Sequence, residues 1–455
     1  MRHGHGWLAN SPRGRLLAAA AVIATLALAA AAYAAIGDLT PTGCIDDNDT
    51  GPDTCATDID GLDGAEAVVA SPDGKSVYVA SGDDRTIEWF RRAPSGALTF
   101  RGCVEGQFAP ESCDQSIPYF LDPSDIAISN DGESVYLLSR FADSGLYRFA
   151  RNTSTGKLRF RDCEADAEVL PPGCDAVDGI ADPTGLAVSP DDKSVYVADF
   201  GGNTLVRFNR NAASGALTAK GCIADNDFTE ETCARTVNGL SAADAVVVSP
   251  DGADVYVASA FDDTVVDFGR NQVSGKLGDD RCAQDIDLNT EFCTRFEEGM
   301  GRPEDLAISP DGTSLYVVGR DDNALVRFDR LPNGTLRPKG CFVDNDFPGE
   351  PCGDSPKGLD GAHAVVVSPD DATVYVVAQA EDAITPFARA PDGALTARQC
   401  TRDNDTVSSI ATCPLSTDGL DGAVDVALSP SGDSAYVVSG FQDNAIVSFD
   451  RTPAP

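Results

Sequence analysis

The sequence predicts an all-β chain folded as a seven-bladed β-propeller of four-stranded antiparallel blades. Three observations carry that expectation: a motif returns seven times at nearly constant spacing, each repeat holds four strand-like runs, and the two chain ends carry complementary fragments of one repeat.

The period is set by turns of the Ser-Pro-Asp-Gly type, whose serines fall at Ser71, Ser129, Ser189, Ser249, Ser309, Ser368 and Ser429, spaced by 58, 60, 60, 60, 59 and 61 residues. Each turn is followed by a tyrosine (Tyr78, Tyr136, Tyr196, Tyr256, Tyr316, Tyr375, Tyr436) and then a phenylalanine (Phe90, Phe149, Phe208, Phe268, Phe328, Phe387, Phe449). Within a repeat, "AVVVSPDGADVYVAS" from Ala245 reads as strands A and B around a turn, because β-branched runs flank Pro250, Asp251 and Gly252. "TVVDFGR" from Thr264 makes strand C, and a turn at Ser274 and Gly275 leads to strand D before Cys282. No segment shows a helical period. Units that cannot bury both faces alone must stack, and the repeated Tyr and Phe are read as core between blades.

The ends support closure. "GDLTPTGC" is a D-type strand without its own A, B and C, and the last repeat stops after strand C at "AIVSFDR". Asp38 to Ile45 is therefore expected to supply the outer strand of the blade formed by Ala423 to Arg451, removing an exposed edge.

Residues 1–34 read as a secretory signal: Arg2, Arg13 and Arg15, an apolar stretch from Leu16 to Ala32, then Ala32-Tyr33-Ala34 before the cut. Retention as an amino-terminal anchor is the competing reading. Residues 35–455 are read as one propeller domain, with no membrane span once the leader is removed. The formal charge is −38, and loss of the three leader arginines takes it to −41. Such a field repels phosphate backbones and argues against nucleic acid as a partner. An extracellular protein, a glycan or a small molecule is expected instead, bound by a monomer that is secreted or periplasmic.

The 14 cysteines sit two to a repeat. The consistent pairing is Cys44 with Cys55, Cys103 with Cys113, Cys163 with Cys174, Cys222 with Cys233, Cys282 with Cys293, Cys341 with Cys352, and Cys400 with Cys413. Zinc is disfavoured, because there is no Cys-x-x-Cys and only His363 remains beyond the leader.

The units "SPDGKSVYVASGDDRTIEWFRR" and "SPDGTSLYVVGRDDNALVRFDR" resemble the YVTN-type propeller repeat and the wider lactonase family of seven-bladed propellers, which includes 6-phosphogluconolactonase-like proteins. The resemblance implies that fold and, as one reading, a lactonase-like hydrolase. In the lactonase-like enzymes a Gly-Pro-Arg-His segment opens a strand and lends polar groups to the active face. The nearest match here, Gly361-Ala362-His363, lacks the proline and the arginine.

Two sets of residues are candidates for chemistry. Strand alternation puts the B-to-C loops ("GDDR" at Gly82, "FDDT" at Phe261, "RDDN" at Arg320) and the cysteine-bearing D-to-A loops on one acidic face, where function is expected. On it, Asp-Asn-Asp follows the first cysteine, so that Asp47 and Asp49, Asp225 and Asp227, Asp344 and Asp346, and Asp403 and Asp405 are candidate calcium ligands; Asp285 and Asp287 keep two acids of the pattern. A solvated, turn-forming Asx loop is the alternative. No other cofactor is indicated. The second set is the ring of residues just before each A strand, Glu66, Ser124, Thr184, Asp244, Glu304, His363 and Val424. Of these, Glu66, Asp244, Glu304 and His363 are the candidate catalytic residues at a channel mouth, with hydrated channel residues as the alternative. The leading expectation is a disulfide-stapled binding or scaffold module acting through the acidic face, and the alternative is the lactonase-like hydrolase.

Overall fold

β-branched and aromatic residues dominate the repeated runs, and each run pairs with its sequence neighbour, so the chain builds seven small sheets in succession. The computed structural model describes residues 36–454 apart from 49–54, 108, 110–112, 118–119, 228–232, 287–292, 345–351, 354–355 and 405–412. The leader segment 1–34 lies outside the described residues. Six blades span 65–116, 123–177, 183–237, 243–297, 303–343 and 362–417, and the seventh joins 423–451 to 39–59. The described residues contain one short helix, the 3-10 turn Phe141–Asp143. None of their helices is long and apolar enough to cross a membrane.

In blade four, strands A to D are Ala243–Val248, Asp254–Ser259, Thr264–Arg270 and Leu277–Asp285. The D strand runs through Cys282 instead of ending before it. A short fifth strand, Arg295–Glu297, then lies outside D and parallel to it. Six blades have this outer strand among the described residues, an addition to the four that the period predicts. The chain reaches it across the disulfide loop, so in these six blades the cystine ties the D-strand region to the segment just before the outer strand; across all seven cystines the Cα atoms are 4.6–5.2 Å apart. All seven expected pairs form and no cysteine is free. In blade six Pro386 sits within strand C without an N–H to donate, and the facing D strand is broken into Leu395–Ala397 and Thr401–Asp403.

Closure follows the expected course. Leu39–Asp47 pairs antiparallel with Ala445–Arg451, from Leu39 opposite Arg451 to Asp46 opposite Ala445. The core lies between blades. Every B strand is buried along its whole length, and Tyr78 and Trp89 of blade one pack with Ile126, Val135 and Leu137 of blade two.

Polar clamps reinforce this packing. The arginine closing each C strand donates from Nε to the tyrosine hydroxyl of the preceding blade at 2.7–2.9 Å, in all seven interfaces. That hydroxyl donates to a glycine carbonyl in the C-to-D turn of the following blade, as in Tyr78 to Gly156 at 2.5 Å. Six of the arginines also pair with the aspartate of the Ser-Pro-Asp-Gly-type turn, as Arg151 does with Asp73 at 2.8 Å. The turn of blade seven has Ser431 at that position, and Asp433 pairs with Arg92 in its place. Tyr375 finds its glycine in Gly37, so the amino-terminal segment supplies the turn as well as the strand of the missing fragment.

Candidate functional site at the channel mouth

The second residue of each A strand faces the propeller axis. Glu66, Ser124, Thr184, Asp244, Glu304, His363 and Val424 all line one cavity of about 530 Å³, within the usual range of small-molecule sites. The sequence ring is thus brought together as a set, but its members differ in what they do. Ser124 donates to the Pro183 carbonyl at 3.0 Å and Thr184 to the Asp244 carbonyl at 3.0 Å, bridging to the next blade. Val424 contributes its carbonyl to His363 Nδ1 at 2.9 Å.

Around Glu304 the groups are concentrated. Arg302 Nε lies 3.0 Å and an Arg320 guanidinium nitrogen 2.9 Å from Glu304 Oε1, and His363 Nε2 lies 3.4 Å from Oε2. Arg320 also donates to Gln379 at 2.6 Å. Across the cavity, Arg140 pairs with Glu66 at 2.6 Å and Asp122 at 3.1 Å. Burial holds His363 below the usual imidazole value, so it is neutral near pH 7. The Val424 carbonyl then fixes the proton on Nδ1 and leaves Nε2 as an acceptor facing the Glu304 carboxylate. Glu304 Oε2 also accepts from Arg320 at 3.3 Å. Burial raises Glu66 to about 7 against the opposing Arg140, and burial with the Glu304 charge raises Asp244 to about 7, so both switch between donor and acceptor near neutrality.

Beneath this ring, the third A-strand residue is aspartate in blades two, five and seven. Asp125, Asp305 and Asp425 accept the backbone N–H groups of Leu186, Val365 and Val68 in the following blades at 2.7–2.8 Å. They join blades instead of offering free ligands. The sequence ring missed Arg140, Arg302, Arg320 and Gln379, which come from the B-to-C loops and from just before strand A. "RDDN" at Arg320 carried the one visible signal, an arginine leading an acidic loop.

The acidic face is a different object from the one expected. Asp84, Asp262, Asp322 and Asp443 turn inward and accept N–H groups at 2.6–3.0 Å from the segments leading into their own blades. The following residues Asn203, Asp263, Asn323, Asp382 and Asn444, with φ of 46–55°, accept from the next blade, as Asn323 does from Gly361 at 2.7 Å. The candidate calcium ligands are similarly engaged. Oδ2 of Asp47 accepts from Gly61 and Leu62, and Oδ2 of Asp225 from Gly239 and Leu240. Asp285 accepts from Met300, Asp344 from Leu359 and Asp403 from Leu420. Asp227 is exposed, and its N–H donates to Asp225 at 2.8 Å. Asp49, Asp287, Asp346 and Asp405 lie outside the described residues. Among the described residues no group of three or more His, Cys, Asp or Glu is placed to hold a metal ion.

With this geometry in hand, comparison with known proteins is informative. Residues 56–221 match the family model described as lactonase, 7-bladed beta-propeller. The fold is a seven-bladed β-propeller, and the matched stretch is similar to the lactonase family. Among solved structures, this propeller is similar to a putative 6-phosphogluconolactonase from Bacteroides uniformis (19% identity, 73% of this chain and 83% of that one, TM-score 0.51). A periplasmic gluconolactonase from Pseudomonas aeruginosa is similar at 20% identity, covering 77% and 87% of the two chains with a TM-score of 0.53. Kuenenia stuttgartiensis hydrazine synthase matches at 15% identity, 89% and 99% coverage and a TM-score of 0.54. At these identities the likeness concerns the fold, and the range of names shows that such a propeller does not dictate a reaction. No curated protein matches the sequence.

Proposed function

We propose that the protein is an exported binding propeller whose ligand is a small, neutral, hydroxyl-rich molecule of the sugar class, held in the channel mouth. The observation that carries this reading is the convergence of His363, Glu304, Arg302 and Arg320 at one side of the mouth, with His363 Nε2 3.4 Å from Glu304 Oε2, a cluster that offers both donors and acceptors to ligand hydroxyls. Arg140, Arg302 and Arg320 add fixed donors, and Glu66 and Asp244 add groups able to accept or donate. The inward turn of the acidic-loop carboxylates, which accept backbone N–H groups, supports reading the mouth and not the loop face as the binding surface. Seven disulfides favour folding in an oxidising compartment outside the cytoplasm.

A second reading, lactone hydrolysis at the same mouth, is favoured by the neutral His363, a base beside arginines able to polarise a carbonyl. One experiment separates the two. Calorimetric titration with neutral sugars and turnover assays with a panel of sugar lactones are run on the protein and on His363→Ala and Glu304→Gln. Binding reads as sugar affinity lost in both variants without lactone turnover. Turnover abolished in His363→Ala establishes the hydrolase, and neither binding nor turnover removes the mouth from function.

A further inference from the structure

The B-to-C loops carry one more feature. Two residues past strand B, at equivalent positions in blades two, four and seven, stand Phe141, Phe261 and Phe441, with 64%, 63% and 67% of their surfaces exposed. They are the three most exposed phenylalanines of the described residues; Phe441 lines the cavity, Phe141 follows the lining residue Arg140, and Phe261 touches the lining residue Phe200. Phe261 meets the Phe200 ring edge-on at 5.1 Å, and the Arg140 guanidinium lies 5.5 Å from the Phe141 ring centre. Phe141 is also held at φ 58°, a left-handed conformation that costs a bulky residue roughly 1–2 kcal/mol and returns no burial. The Phe200 and Arg140 contacts cover only part of Phe261 and Phe141, and more than three-fifths of the surface of each of the three phenylalanines stays exposed, a surface suited to a ligand that lands on it.

Its chemistry follows from the setting. A chain of formal charge −38 does not draw an anionic polymer or surface to this rim. Apolar rings around a mouth lined with arginine, carboxylate, histidine and amide suit a neutral ligand that alternates C–H faces with hydroxyl edges. We infer that Phe141, Phe261 and Phe441 are stacking platforms for sugar units outside the mouth, so that the ligand is a neutral oligosaccharide entering by one end. This rests on the reading of the mouth as a sugar site and adds chain length as the determinant of affinity.

The test is calorimetric titration with neutral monosaccharides and linear trisaccharides of glucose, galactose, mannose, xylose and N-acetylglucosamine. The expected result is a trisaccharide bound about tenfold more tightly than its monosaccharide, a gain of about 1.4 kcal/mol. The Phe141→Ser/Phe261→Ser variant, which leaves the cavity lining itself intact, reduces that gain to less than about threefold while keeping monosaccharide affinity and the melting temperature. Because Phe261 touches Phe200, Phe141→Ser alone serves as a second variant and reduces the gain in part. Monosaccharide binding with no gain from length overturns the rim and leaves the mouth standing, whereas no saccharide binding overturns both. Phenylalanine-dependent association with phosphatidylcholine vesicles, without a length preference, assigns the rings to a membrane and overturns the proposal.

Discussion

Arg92 Nε donates to the Tyr436 hydroxyl at 2.8 Å, and that hydroxyl donates to the Gly96 carbonyl at 2.8 Å, so the first complete blade is joined to the last by the same clamp that joins the other six pairs. The two residues are 344 positions apart in sequence. Tyr436→Phe leaves a buried guanidinium N–H and a carbonyl unpartnered and is expected to cost about 2 kcal/mol; Arg92→Ala costs about 3 kcal/mol through the pairing with Asp433 as well. Urea midpoints check both, and equal effects from a surface control such as Arg161→Ala refute the clamp.

The B-to-C loop side chains that accept N–H groups from the next blade predict a stability role with a definite signature. Asn323→Ala loses the bond to Gly361 and places a β-carbon residue without a local partner at φ 53°, an expected cost of about 2 kcal/mol. Asn323→Gly relieves the backbone but not the bond and costs about half as much. Thermal melts of the two variants distinguish conformational strain from lost bonding.

Removal of one disulfide is a local event. Cys222→Ser/Cys233→Ser frees an 11-residue separation, worth up to about 3 kcal/mol in the chain-entropy account. Hydrogen exchange is expected to rise at Arg235–Val237, which the cystine ties to strand D, and to stay unchanged in blades five and six. Uniform loss of protection refutes a local staple.

Acidity acts in two opposed windows. Burial, then the Asp425 charge, raises Asp125 to about 7, and burial raises Asp425 to about 6, against about 3.9 for an unfolded aspartate. Between about pH 4 and 7 the folded chain therefore holds protons that the unfolded chain releases, and stability falls as pH rises. At Asp73 and Asp370, burial is outweighed by hydroxyl and arginine partners, which hold both near about 2, so their contribution is present above about pH 4 and lost as pH falls toward 2. A urea midpoint that is highest near pH 4–5, with a shallower decline toward 7 in Asp125→Asn and Asp425→Asn, is the expected profile.

Much of this was readable before the fold because the relevant signals are periodic. The tyrosines and phenylalanines recur with the turn, the cysteines recur in pairs, and the ends sum to one blade, so blade number, pairing and closure needed only spacing. The ring from Glu66 to Val424 was readable because an A strand opens at a fixed distance before each turn. The arginines of the mouth were not, since Arg140, Arg302 and Arg320 follow no period and meet only where separate blades converge. The direction of a carboxylate was equally hidden: Asp262 and Asp322 look solvated in an acidic run, yet each faces an N–H group some twenty residues earlier.

The sequence by itself determined a closed ring of seven stapled blades, because repetition, strand alternation and paired cysteines are local properties of the chain. Only the tertiary structure decided that the acidic loops brace the ring, that His363 and Glu304 oppose each other, and that three phenylalanines stand exposed around them. Those relations join residues of different blades, and their geometry exists only once the ring has closed.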